Sequence, residues 1–197
     1  MSLPKTLTDI ANLALLSIGE ESTNNVESDE ARSRTVRTVL YQTIREVQRL
    51  IDWPELRVRK TLAQNSEMLD DSNYKYHLPE NYLEVISTDS EISWFLQDGF
   101  FCTDAIEAKI TYKKYSEEVS EWSGDLVEMV YRKLAAAIAP TLVENPQWLQ
   151  MAERQYQQCE QRCLSQTQNR KRKIKRYKRN HGLVKNRLYD RYPYGGY

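Results

Sequence analysis

The sequence predicts an α+β protein: an antiparallel helical bundle with a small antiparallel β module inserted between the second and third helices, followed by an extended basic C-terminal arm. Three observations carry this. Apolar residues recur at helical spacing through residues 6–52 and again from 125 onward. Between these stretches the period drops to two, in short runs separated by turn residues. Finally, Arg170-Lys-Arg-Lys-Ile-Lys-Arg-Tyr-Lys-Arg179 holds eight cations in ten residues, repels itself and has too little apolar surface to pack a core.

The first helix is expected over about 6–18. Thr6 or Thr8 supplies a capping hydroxyl, residues 7, 10, 11, 14 and 18 are apolar, and Gly19 is the stop. A polar link, 20–27, leads to a second cap at Ser28. There Val36, Leu40, Ile44, Val47 and Ile51 recur at steps of four or three, so a long helix spans about 28–52. It halts at Trp53-Pro54, because the residue before a proline is pushed out of the helical region.

The β module is expected over about 54–121. Leu56–Leu62 alternates apolar and basic residues, Tyr74–Leu78 alternates again, and Leu83–Ser87 follows a Pro79-Glu-Asn turn. Ile92–Leu96 and Phe100–Thr103 flank Asp98-Gly99, the dipeptide that supplies the positive φ angles of a two-residue hairpin turn. Residues 106–115 complete the run, with Ile106, Ala108, Ile110 and Tyr112 on one face. Helical spacing returns over about 125–144, with Leu126, Val130, Leu134, Ala137, Ile138 and Leu142 on one side and Pro140 expected to kink or end the helix. Asn145-Pro146 restarts a helix over about 146–168, where Trp148, Ala152, Tyr156, Cys159 and Cys163 continue at steps of four or three. The body therefore covers 1–164 and the arm 165–197.

Charge divides the chain the same way. Residues 170–197 carry eleven Lys and Arg against one Asp, and the rest carries seventeen Lys and Arg against 27 Asp and Glu, so a net charge of zero conceals poles of +10 and −10. The arm also holds Tyr177, Tyr189, Tyr192, Tyr194 and Tyr197, and rings interleaved with cations suit stacking and docking surfaces. Its candidate contact residues are Arg170, Lys171, Arg172, Lys173, Lys175, Arg176, Lys178, Arg179, Arg187, Tyr189, Arg191, Tyr192, Tyr194 and Tyr197. An acidic body does not itself seek nucleic acid.

Several classes of chemistry are not expected. The apolar stretch from Ile10 to Ile18 is interrupted by Asn12 and Ser17 and falls short of the roughly 20 residues a membrane span needs. With Asp9 and only Lys5 beside it, it does not have the form of a signal peptide, and synthesis in a cytosol is expected. Cys102 stands alone, and Cys159 and Cys163 lie one helical turn apart, spacing that suits neighbouring packing and free thiols. His77 and His181, the two histidines, lie in an expected strand and in the arm, which supports neither a two-histidine metal site nor a catalytic triad. No Gly-rich phosphate loop is present, and the adjacent acids Glu20-Glu21, Asp70-Asp71 and Glu117-Glu118 fall in polar links where carboxylates are solvated. No cofactor and no enzymatic activity are expected.

Six features stand in a characteristic order: Leu15-Leu-Ser-Ile-Gly19 closing the first helix, Leu50-Ile-Asp-Trp53 ending the second, the basic strand Arg57-Val-Arg-Lys-Thr-Leu-Ala63, Tyr74-Lys-Tyr-His-Leu-Pro79 with Tyr82 after it, the hairpin at Asp98-Gly99 with the strand to Tyr112, and Leu134-Ala-Ala-Ala-Ile-Ala139. In this order and spacing, residues 6–164 resemble the tail tubular protein A family of short-tailed bacteriophages, the head-to-tail adaptors. The basic arm is not part of that pattern. The resemblance implies a structural virion protein of the tail or neck. Its partners would be the portal protein, the tail nozzle protein, further copies of itself in a ring of twelve, and genomic DNA passing through the lumen. On this reading the arm locks the ring to the portal. The alternative from the residues alone is a nucleic-acid-binding protein whose arm contacts phosphates and stacks tyrosines on bases.

Overall fold

The computed structural model describes residues 4–68, 73–89 and 92–189, the side chains of 65–68 and 171–189 excepted. Four helices and seven strands follow in the order α1 (Leu7–Ser17), α2 (Ala31–Leu50), β1 (Arg57–Thr61), β2 (Gln64–Met68), β3 (Tyr74–His77), β4 (Tyr82–Thr88), β5 (Trp94–Gln97), β6 (Phe100–Thr103), β7 (Lys109–Lys114), α3 (Gly124–Leu142) and α4 (Pro146–Tyr189). The fold is thus α+β, with every strand among the described residues lying between the second and third helices.

α1 starts in a capping box. Thr6 Oγ1 accepts from Asp9 N at 3.1 Å, while the Asp9 carboxylate accepts from Thr6 N at 3.0 Å and from Lys5 N at 2.9 Å. It ends as expected at Gly19, whose φ of +81° lets Gly19 N reach Leu16 O and Glu20 N reach Leu15 O, closing the last turn. The link to α2 is pinned: the Asn12 amide receives Thr23 N and donates to Thr23 O, and Thr23 Oγ1 meets the buried Ser33 hydroxyl at 2.7 Å. This network shifts the start of α2. Ser28, expected as its cap, donates to Ser33 Oγ instead, and the helix begins at Ala31 behind Glu30, which makes no side-chain cap bond. α2 stops at Leu50, and Trp53 folds back so that its indole N–H donates to Val47 O at 3.0 Å.

α3 lies at the centre of the helical layer, packed on α1, α2 and α4. Ser123 Oγ caps it, and Leu126, Val130, Leu134, Ala135, Ile138 and Ala139 are buried, the two alanines allowing close helix approach. Pro140 sits inside the last turn, and the helix ends two residues later at Leu142. The shared core joins Ile10, Ala14, Leu15, Leu40, Ile44, Trp53 and Leu56 to this face.

The strands form two antiparallel sheets, of order β1-β7-β4 and β2-β3-β6-β5. A second core of Leu62, Tyr76, Phe101, Ala108, Ile110 and Tyr112 lies within this module. The Asp98-Gly99 turn has φ of +51° and +80°, as the hairpin requires. Two expectations are corrected. β2 was not expected, because Gln64-Asn-Ser-Glu-Met68 has no apolar alternation; it forms by backbone pairing to β3. Ile106 does not join the face of Ala108, Ile110 and Tyr112, because β7 starts only at Lys109 and Ile106 remains in the exposed preceding loop.

The module is fixed to the helices by buried polar contacts. Gln48, fully buried on α2, donates to Ser116 O at 2.7 Å and accepts from Ser116 N at 3.1 Å. Lys113, buried on β7, donates from Nζ to Arg49 O at 2.5 Å and Ile51 O at 3.4 Å, supplying a cation to the C-terminal end of α2, and pairs with Glu84 at 2.7 Å.

Candidate functional site

The last helix carries the candidate site, so its footing comes first. Asn145 opens α4: its side-chain Oδ1 accepts from Gln147 N at 2.9 Å, its carbonyl accepts from Trp148 N, and Pro146 occupies the first turn, where no donor is needed. Leu149, Ala152, Tyr156, Cys159 and Cys163, at steps of three and four, form the seam against the bundle. The expected stripe is corrected at its start. Leu149 occupies the seam, while Trp148 remains 38% exposed and turns to the end of α1, close enough that a Cβ at Gly19 would lie 3.5 Å from its ring.

Polar contacts flank the seam. Arg162 donates to Glu128 at 2.6 Å, and Glu128 holds the Arg162 guanidinium firmly protonated. Arg132 donates to Gln155, and Tyr156 OH donates to Glu160 at 3.0 Å. Burial pushes the Cys159 thiol up to about 12 and raises Cys163 as well, so both remain protonated at neutral pH and pack as small apolar groups. Among the described residues no group of three or more His, Cys, Asp or Glu side chains is placed to hold a metal ion.

Cys163 is the last buried residue among the described side chains of α4; from Leu164 to Arg170 none is buried. Since Arg162 lies opposite Glu128, about one turn from the start of α3 at Gly124, the seam ends where α3 begins. The helix does not. An end near 168 was expected, but the backbone continues as helix to Tyr189, and the 25 residues from Ser165 extend for about 37 Å at 1.5 Å per residue. Polar composition alone does not end a helix: no proline or glycine interrupts 147–181, and Lys, Arg and Gln are good helix formers.

Of the candidate contact residues, Arg170 is exposed at the end of the described side chains. Lys171, Arg172, Lys173, Lys175, Arg176, Lys178, Arg179, Arg187 and Tyr189 have helical backbone in α4. At 100° per residue, positions 170–179 go round the whole circumference, so eight cations in ten residues confine themselves to no single face. The side chains beyond Arg170, and the whole of Arg191, Tyr192, Tyr194 and Tyr197, lie outside the described residues.

A second surface was not singled out from sequence. On the hairpin, Trp94, Phe95 and Leu96 of β5 are 40, 41 and 46% exposed, and β5 is an outer strand of its sheet. Its signal was present: three large apolar residues in succession, where a strand with one wet face alternates. No helix among the described residues is long and apolar enough to cross a membrane. No family model matches the chain, and no curated protein matches it.

Proposed function

We propose that this chain is a structural head-to-tail adaptor of a short-tailed phage virion. Copies assemble as a ring between portal and tail nozzle, and DNA passes through the lumen. The observation that carries the proposal is the single helix α4, seated on an acidic body over Pro146–Cys163 and continuing past it through the basic run. The six ordered sequence features of residues 6–164 support the same reading. In this assembly the body supplies the ring wall, whose net negative charge repels DNA and lets it slide. The helix and the tyrosines beyond it run along the portal and lock the ring there, the cations meeting acidic portal surface. The ring is twelvefold on the adaptor pattern, and the chain acts without catalysis or cofactor.

The test is the native mass of the purified chain, alone and mixed with a portal ring, at moderate and high salt. A discrete ring of copies on the portal is expected. Removal of residues 170–197 leaves the α3–α4 seam whole and abolishes attachment while the far-ultraviolet circular dichroism of the body persists. Undiminished attachment would refute the lock.

One observation favours a second reading. A helix charged on every side suits a polyanion more than a single flat protein surface, and the arm would then bind nucleic acid directly. If all eight cations of 170–179 neutralise phosphates, log affinity for duplex DNA falls against log salt with a slope of about −7. The portal lock predicts a shallower slope and sensitivity to loss of the tyrosines.

A further inference from the structure

Among the described residues the two sheets present four outer strands, and the two of the three-stranded sheet carry a recognisable guard against pairing with another chain. β1 has Arg57, Arg59 and Lys60 among its five residues. β4 is bulged twice, with register shifts between Tyr82 and Glu84 and between Val85 and Ser87. The other sheet leaves β2 and β5 as its open edges, β2 being irregular only in its pairing to β3, between Gln64 and Met68. β5 has none of these. Its four residues, Trp94-Phe-Leu-Gln97, include no charge, and they pair with β6 in unbroken register. Antiparallel pairing uses the backbone groups of every second residue, which leaves the others on β5 directed outward.

Both faces of this strand are apolar. Trp94 stacks on the fully buried Phe101 with ring centroids 5.3 Å apart, so the module core continues to the rim of the sheet. Phe95, opposite Cys102, projects from the other face. A partner that satisfies the strand covers its edge and both of its faces, which a further β-strand with its own side chains does.

Resting on the ring reading above, we propose that β5 is an intersubunit strand that pairs with β2 of a second copy of this chain. The directions of the strands favour this partner. In the order β2-β3-β6-β5 every neighbour is antiparallel, so the two outer strands point in opposite directions. Two copies related by rotation about an axis along the strands therefore bring β5 of one against β2 of the next antiparallel, and the alternation continues unbroken. Each copy gives one edge and receives another. The contact is heterologous and closes when the rotation divides a full turn.

The experiment uses the full chain and three forms of it. Phe95→Lys places a cation on an exposed strand position with no part in either core. Leu96→Cys and Ser66→Cys, carried on separate copies and mixed, report on β5–β2 contact, the native cysteines being buried. The wild type is expected at the ring mass, alone or on the portal ring, with the two cysteine forms cross-linking across copies. Phe95→Lys is expected at the monomer mass with an unchanged melting temperature. A Phe95→Lys chain that forms the same ring overturns the strand pairing and leaves the ring standing. A dimer cross-linked through Leu96→Cys alone also overturns it, as β5 against β5. A wild type that remains monomeric, alone and with the portal ring, overturns both.

Discussion

Replacing Gln48 by leucine isolates the joint between the helices and the β module. The side chain fills the same space, so the loss is polar: Ser116 keeps a backbone N–H and a C=O that no longer find the Gln48 amide. Ser116 is itself buried, and an unsatisfied buried group costs about 1–3 kcal/mol, so the pair costs about 3 kcal/mol or more. For a chain of this size that lowers the melting temperature by about 6–12 °C. Chemical denaturation gives the free energy, and hydrogen exchange at Ser116 shows whether the loss is local. Gln48→Glu sharpens the test. Its carboxylate still accepts from Ser116 N but opposes Ser116 O, so burial and repulsion raise its folded pKa above that of the unfolded chain, about 4.3. A group raised in this way contributes fully below the unfolded pKa, where the protonated acid donates to Ser116 O, and its contribution is lost as pH rises through the folded pKa. A Gln48→Leu chain within about 0.5 kcal/mol of wild type, or a Gln48→Glu chain with no extra pH dependence, would refute this account of the joint.

Other parts of the fold make separate predictions. Thr6→Ala removes the α1 cap and costs about 1 kcal/mol by denaturant titration. The backbone N–H of Lys5, with Thr6, holds the Asp9 carboxyl below its usual 3.8. The stability from Asp9 is therefore present above the unfolded pKa and lost as pH falls through the lower folded value; Asp9→Asn should flatten the melting temperature across pH 2–5. Gly99→Val forces a branched side chain to the left-handed φ of the hairpin turn and should cost about 1–2 kcal/mol, read from the denaturation midpoint. Burial keeps Cys159 and Cys163 protonated, so an aromatic disulfide reagent at pH 8 should find them unreactive in the native chain and all three thiols reactive in denaturant.

The helices were legible because each has a stripe and most have a marked end: Thr6 and Gly19 for α1, Trp53-Pro54 after α2, Asn145-Pro146 before α4. The hairpin was legible from Asp98-Gly99 alone. What escaped has a common physical cause, a local signal outweighed by a distant partner. Ser28 has the form of a cap, but the Thr23–Ser33 network claims its hydroxyl. Gln64–Met68 lacks strand character, yet β3 offers it a backbone. Lys113 has the form of a solvated strand cation, and the carbonyls at the end of α2, together with Glu84, account for its burial. Of the candidate site, the basic run was evident and the helix beneath it was not, because a helix built without an apolar stripe gives periodicity nothing to detect.

The seam of α4 acts as the fulcrum of a lever. No glycine or proline interrupts residues 147–181, so no hinge separates the segment held by Leu149, Ala152, Tyr156, Cys159 and Cys163 from the one that extends past the body. A tilt of about 10° at the seam displaces Tyr189 by about 6 Å over the 37 Å beyond it, with the helical rise setting the arm length. The reverse also holds: a load on the helix between the seam and residue 181 arrives as torque on Arg162–Glu128 and on the helix bundle, with no glycine or proline in between to relieve it. On the proposed attachment, a partner held along residues 164–181 would be felt in the packing of the body.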